Sequence, residues 1–217
     1  MARFRPYVIL SAAISLDGKI ATKSGDSQLS SKSDTQRVHE LRSRVDAILV
    51  GRRTISVDNP LLTVKYSKGR NPIRVILDSK GTIKSSSKIL KTCNEVPTII
   101  AVSEKISKTN LTRLLKYSVE VIKCGKKRVN LKQLFRILHK KRIKKILVEG
   151  GGTTNWSLIK EGMVDEVIVT VTPFILGGND AISLVGGAGF DRISKSCSLK
   201  LKKTSRRNNE IVLHYAT

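Results

Sequence analysis

Short apolar runs rich in valine and isoleucine recur along this chain, and helix-patterned segments separate them. YVILSAAI (7–14), VDAILVG (45–51), IRVILD (73–78), TIIAV (98–102), VEVIKCG (119–125), KKILVEG (144–150) and DEVIVTVTP (165–173) each read as a strand. Runs that are near-continuously apolar suit strands buried on both faces. Between them, SDTQRVHELRSR (33–44) reads as a helix opened by a capping box, with Ser33 as N-cap and Gln36 three residues on. RRTISV, NLTRLLKYS, LKQLFRILHKK and TNWSLIKEG are further helical stretches. The tail SLKLKKTSRRNNEIVLHYAT gives two alternating runs around a polar hairpin, SRRNN. This alternation predicts an α/β fold of three αβα layers: helices on both faces of a mostly parallel mixed sheet, with an antiparallel C-terminal hairpin. With no linker, repeat or low-complexity tract, residues 1–217 are expected to form a single domain.

Composition narrows the function classes. A hydrophobic content of 40% over 217 residues suffices for a substantial core. No apolar run approaches the roughly 20 residues of a membrane span, so no membrane association is expected. The first apolar stretch runs into a DGK turn and reads as a strand rather than a signal peptide, which makes the cytoplasm the expected location. Cys93, Cys124 and Cys197, like His39, His139 and His214, are scattered, so neither a disulfide frame nor a metal site is expected. The 41 basic residues against 17 acidic ones, net +24, raise nucleic acid as a partner. The basic residues are spread, however, and aromatics for base stacking make up only 4%. No helix-turn-helix, zinc-finger or RNA-recognition signature is present. The expectation is a solvated basic surface that attracts anionic metabolites, with nucleic acid not the partner.

Open α/β sheets bind ligands at the carboxyl ends of their strands, so the turns after VDAILVG, IRVILD and KKILVEG draw attention. The first carries Gly51, Thr54, Asp58 and Pro60, taken alone common turn chemistry. The second carries Ser79 and Lys80, a hydroxyl and an ammonium suited to a monoester phosphate such as the 2′-phosphate of NADP. A plain turn is the simpler reading there, and Asp78 alternatively suits a ribose diol. The third is ILVEGGGTTNWS (146–157). It fits neither G-x-G-x-x-G nor the Walker pattern, yet Gly150, Gly151 and Gly152 would let a pyrophosphate approach the first amides of the following helix. Glu149 would face a non-phosphate part of the ligand, because a carboxylate repels phosphate. Trp156 and Leu158 read as core, and Asp17-Gly18-Lys19 reads as turn chemistry. The later glycines at 177–178 and 186–189 read as loop material.

SLDGKIAT (15–22), HELRSRVDAILVG (39–51), TISVDNPLLTV (54–64), NPIRVILDS (71–79), VEGGGT (148–153) and PFILGG (173–178) occur in the order seen in riboflavin-pathway reductases. The chain resembles that family over residues 7–180. The resemblance implies the dihydrofolate reductase-like fold. The H-x-E and P-C-x-x-C of a fused zinc deaminase are absent from this sequence. It is therefore similar to the stand-alone archaeal or fungal type, which uses NADPH to reduce a phosphoribosylaminopyrimidine to its ribitylamino form before deamination. A pterin or dihydrofolate reductase on the same fold is the alternative.

The resemblance implies NADP contacts at Thr54, Asp58, Ser79, Gly151, Gly152, Thr153, Thr154, Asn155, Trp156 and Ser157. Lys80 joins them on its position and charge, and NADH would be tolerated to some degree. Substrate contacts are implied at Arg42, Leu62, Lys65 and Glu149. Lys65 stands where bacterial members carry arginine, which keeps the charge and loses the bidentate fork. Asp26 stands where they carry serine, and Gln28 where they can carry tryptophan. Asp17, Lys19 and Glu149 are the titratable candidates for moving a proton. A homodimer is the oligomeric state that the resemblance implies.

Overall fold

The computed structural model describes residues 4–217. In chain order the elements are β1 (Tyr7–Ile14), β2 (Lys19–Ala21), α1 (Lys32–Ser43), β3 (Ala47–Gly51), α2 (Arg52–Asp58), β4 (Ile73–Leu77), α3 (Lys88–Lys91), β5 (Thr98–Val102) and α4 (Lys108–Leu114). They continue as β6 (Val119–Lys123), α5 (Leu131–Lys140), β7 (Lys145–Val148), α6 (Gly152–Lys160), β8 (Glu166–Val171), β9 (Ile182–Ser183), β10 (Lys200–Arg207) and β11 (Glu210–Ala216). The strands are mostly parallel, with antiparallel pairing at the C-terminal end. The chain divides into two compact units: the described residues up to Tyr7 with His39–Leu147, and Val8–Val38 with Val148–Thr217.

In the first unit the strands run in the order β7-β3-β4-β5-β6. Parallel registers join β3 to β4, β4 to β5 and β5 to β6. Every residue of β5 is buried, as are the first four of β3, which is why these runs lack polar alternation. One residue breaks the apolar pattern: Arg74, the second residue of β4, is fully buried. α5 presents Leu131, Leu134, Phe135 and Leu138 to the core at the i, i+3, i+4, i+7 spacing of an amphipathic helix. Asn130 caps it by accepting from the Gln133 amide.

In the second unit β1 pairs in parallel with β8, β8 antiparallel with β11, and β11 antiparallel with β10. The outermost strand, β10, carries Lys200, Lys202, Lys203, Arg206 and Arg207, charges of the kind that keep an open edge from pairing with other chains. The expected cap of α1 moves by two residues. The helix begins at Lys32, so Ser31 rather than Ser33 is the cap, and its Oγ accepts from the Asp34 amide at 3.2 Å. Ser31 also donates through its Oγ and its amide to the two carboxylate oxygens of Glu210, at 2.7 and 2.9 Å. A contact 179 residues away in sequence thus fixes where α1 starts.

Inside this unit lies a buried polar cluster. Asp34 is fully buried; its Oδ1 accepts from Arg37 Nε at 2.7 Å and Thr170 Oγ1 at 2.6 Å, and its Oδ2 accepts from Ser30 Oγ. Arg37 Nη2 also donates to Thr170 Oγ1. Removing the carboxylate leaves a buried guanidinium without its counter-charge, the costly way to break such a pair. Asp34→Ala should therefore lower the unfolding free energy by about 3–5 kcal/mol in a urea titration, against about 1 kcal/mol for an ordinary cap deletion.

Candidate functional site

In the first unit the expected site residues Thr54, Asp58, Leu62, Lys65, Ser79 and Lys80 sit on the connections that leave β3 and β4. Gly51 ends β3 and α2 follows directly, with Thr54 in its third position and Asp58 at its end. Desolvation pushes the Asp58 carboxyl above its ordinary value. The chain then turns sharply: Asn59 and Leu62 both take left-handed backbone conformations, φ 43° and 55°. For leucine this is a strained state, costing on the order of 1–3 kcal/mol, which the surroundings must hold. Its flanking carbonyls show how. Arg74 Nη1 donates to the Leu61 carbonyl at 3.2 Å, and Arg42 Nη1 donates to the Thr63 carbonyl at 2.9 Å.

Arg74 does more than hold Leu61. Its guanidinium also donates to Thr98 Oγ1, Thr92 Oγ1 and the carbonyls of Ile89, Thr92 and Val96. Burial lowers its pKa to about 10, so it stays protonated at neutral pH. Asn59 Oδ1 accepts from the Lys88 amide at the start of α3. The short α3 is therefore gripped at both ends, by Asn59 and by Arg74, and the 58–62 turn is fixed against it.

Beyond Leu62 the chain runs along the C-terminal half of α1. His39 Nδ1 accepts from the Lys65 amide at 2.9 Å, and its ring packs edge-on against Tyr66 with 4.9 Å between centroids. Arg42 and Lys65, the two expected phosphate ligands, thus belong to segments joined by hydrogen bonds from α1 side chains to the backbone at residues 63 and 65. The turn after β4 is equally ordered. Asp78 is buried in its own turn, accepting from the Ile83 amide and Thr82 Oγ1, which occupies the carboxylate that a ribose would need. Ser79 Oγ accepts from the Val129 amide and keeps its proton free to donate, while the Lys80 side chain is exposed.

In the second unit the glycine turn follows β7, with Glu149 half-buried. Gly151, φ 79°, is the N-cap of α6 and, being glycine, brings no side chain to cap the helix. Thr153 and Thr154 lie inside the helix rather than capping it, and Ser157 Oγ donates back to the Thr153 carbonyl. Asn155 is buried; its Nδ2 donates to the Leu184 carbonyl, and its Oδ1 has no partner among the described residues. A Cβ on Gly150 would press into that Oδ1, and one on Gly152 would press into the Ser183 carbonyl.

The segment 182–190 closes over this turn. The Gly186 amide donates to the Gly152 carbonyl, Gly187 lies against the Trp156 indole, and Phe190 meets Trp156 edge-on at 5.0 Å. Leu158 is core, as its spacing suggests, whereas Trp156 is partly exposed and packs against this loop. The same segment reaches the 15–19 turn, where the Leu184 amide donates to the Gly18 carbonyl and Lys19 Nζ donates to Ser183 Oγ at 3.3 Å. Asp17 accepts from the amides of Leu176 and Gly177, and hydrogen bonds from Ser15 and those amides hold its pKa down to about 2. Near neutral pH it is an ionised acceptor that holds the two amides.

Sequence reasoning missed His39, Arg74 and the 182–190 segment. A buried-strand run interrupted by one arginine and a histidine three residues before Arg42 were available signals for the first two. Among the described residues no group of His, Cys, Asp and Glu is arranged to hold a metal ion, and no helix is long and apolar enough to cross a membrane.

The Asp17 contacts define a pH dependence. Its folded pKa lies below the unfolded value, so its contribution to holding the 174–177 turn is complete above about pH 4 and fades as pH falls through about 2. The amide resonances of Leu176 and Gly177 should titrate with a midpoint near 2 in an NMR series, and Asp17→Asn should abolish that titration.

Residues 6–213 match the RibD C-terminal domain family. The chain is 42% identical over 214 residues to a protein of Methanothermobacter thermautotrophicus named 2,5-diamino-6-ribosylamino-4(3H)-pyrimidinone 5′-phosphate reductase, covering 97% of this chain and 98% of that one. It superposes over its whole length, at a TM-score of 0.84 and 27% identity, on RibD from Acinetobacter baumannii, of which it spans 59%. Dihydrofolate reductase from Enterococcus faecalis shares the fold at a TM-score of 0.55 and 12% identity, with 97% and 95% of the two chains covered. The chain belongs to the RibD C-terminal domain family.

Proposed function

We propose that the protein reduces the ribosylamino side chain of 2,5-diamino-6-ribosylamino-4(3H)-pyrimidinone 5′-phosphate to the ribitylamino form in riboflavin biosynthesis, with NADPH as reductant. The observation that carries this reading is full-length similarity to a reductase of that name, together with the uncapped glycine turn on α6. The turn fits a dinucleotide: helix amides with no side-chain cap suit a pyrophosphate, and the unpartnered Asn155 Oδ1 suits a hydroxyl or amide donor. Gly151, Gly152, Thr153, Thr154, Asn155, Trp156 and Ser157 would hold the cofactor there; Thr54, Asp58, Ser79 and Lys80 are the remaining expected cofactor contacts. NADPH supplies the hydride for C1′ of the side chain.

The chain's own residues bind, orient and move protons. Arg42 and Lys65 would neutralise the 5′-phosphate, with Leu62 packing against the substrate. The half-buried Glu149 would accept hydrogen bonds from the diaminopyrimidine. Lys19, steadied by Ser183, would deliver the proton that reduction requires, and Asp17 would keep its turn in place. Holding donor and acceptor in contact accounts for most of the rate on this reading, since positioning alone can contribute roughly 7–11 kcal/mol. The protein would act as a homodimer, the oligomeric state that the family resemblance implies.

Adding the phosphorylated pyrimidine to protein and NADPH should produce loss of absorbance at the nicotinamide band; no loss, with no shift in melting temperature on adding NADPH, contradicts the proposal. Lys80→Ala should weaken NADPH binding by about tenfold and leave NADH nearly unchanged, the difference being one charge-assisted contact to the 2′-phosphate. Equal losses for the two nucleotides would remove Lys80 from the site.

A further inference from the structure

We infer that His39 is a positioning residue for the substrate phosphate, acting through the Lys65 backbone with its imidazole neutral. The inference rests on the reductase reading above, in which Arg42 and Lys65 neutralise that phosphate. Three observations within one unit carry it. His39 is 7% exposed, and its Nδ1 accepts from the Lys65 amide at 2.9 Å, so this nitrogen carries the lone pair and the ring's proton is on Nε2. One turn later on the same helix, Arg42 donates to the Thr63 carbonyl at 2.9 Å. The intervening Val64 amide donates to Asn71 Oδ1 instead.

Residues 63 and 65 therefore address α1 while residue 64 addresses the loop, the alternation of an extended segment. Two side chains of α1, three residues apart, read a carbonyl and an amide two residues apart on the segment. That pairing fixes the register of Lys65 against Arg42. A slip of one residue would set the Val64 amide at His39 and turn the Lys65 side chain to the other face of the segment. His39 touches no reacting atom; it sets where the second cation stands.

The geometry makes a test by conservative rescue available. Asn at 39 offers an amide oxygen close to the place of imidazole Nδ1, whereas Phe keeps the ring shape and packing against Tyr66 but offers no acceptor. His39→Phe should raise KM for the phosphorylated pyrimidine about tenfold with kcat within about twofold, and NADPH affinity should be unchanged. Hydrogen exchange at the Lys65 amide should accelerate in the same variant. His39→Asn should restore KM to within about threefold of the wild type and restore amide protection. Unchanged KM in His39→Phe, or equal losses in both variants, would overturn the role while wild-type turnover leaves the reductase reading intact. A fall in NADPH affinity parallel to the rise in KM would show a general structural defect and overturn it equally. A wild-type protein that oxidises no NADPH with this substrate would overturn the reductase reading, and this role with it.

Discussion

A guanidinium fully buried on a parallel strand has to be satisfied by the protein itself, because it is closed off from solvent. Arg74 meets that demand without a hydrogen-bonded carboxylate: among the described residues every acceptor of its guanidinium is a carbonyl or a hydroxyl. Replacing water by six protein acceptors keeps the charge hydrogen-bonded, while burial lowers its pKa to about 10, still well above neutral pH. The consequence reaches beyond the strand. Those acceptors come from β5, from the end of α3 and from the turn before Leu62, so one side chain ties three separate connections to β4. The left-handed backbone at Leu62 is sustainable because the carbonyl on either side of it is held by an arginine. Precision in the expected phosphate ligands, Arg42 and Lys65, is inherited from this arrangement.

The second unit solves a different problem by omission of atoms. Its glycine turn is packed by another backbone: the 182–187 segment lies where a Cβ on Gly152 would be, and Trp156 lies where one on Gly187 would be. This close approach explains why the sequence there is rich in glycine yet matches no dinucleotide fingerprint. The turn leaves the first α6 amides without a side-chain cap, and the covering segment carries Ser183 to Lys19. Glycines at 150–152 and 186–187 thus act together, although 34 residues separate Gly152 from Gly186.

Much of the fold was legible because its signals are local. The apolar runs of β1 and β5 give their limits to the residue, and the tail hairpin shows in its polar turn. The start of α1 was misplaced because Glu210, from the far end of the chain, decides which serine caps it. The short β2, β9 and α3 escaped notice because pairing partners and Arg74, not periodicity, hold them. For the site, motif order supplied candidate residues that spacing alone did not, and the physical roles of several then shifted. Asp78 turned out to serve its own turn, and Asp17 to be an ionised anchor for 176–177. The covering segment was unreadable because its contacts join residues far apart in sequence, several of them through backbone atoms, and so leave no periodic signal.

The central claim is that this protein adds hydrogen to the side chain of a phosphorylated ribosylaminopyrimidine at the expense of NADPH. Mass analysis of the pyrimidine after incubation with the purified protein and NADPH tests it most directly. The account predicts a product heavier by two hydrogens, with the gain confined to the sugar-derived fragment and one NADPH consumed per product. An unchanged pyrimidine, or a gain located on the ring, would contradict it.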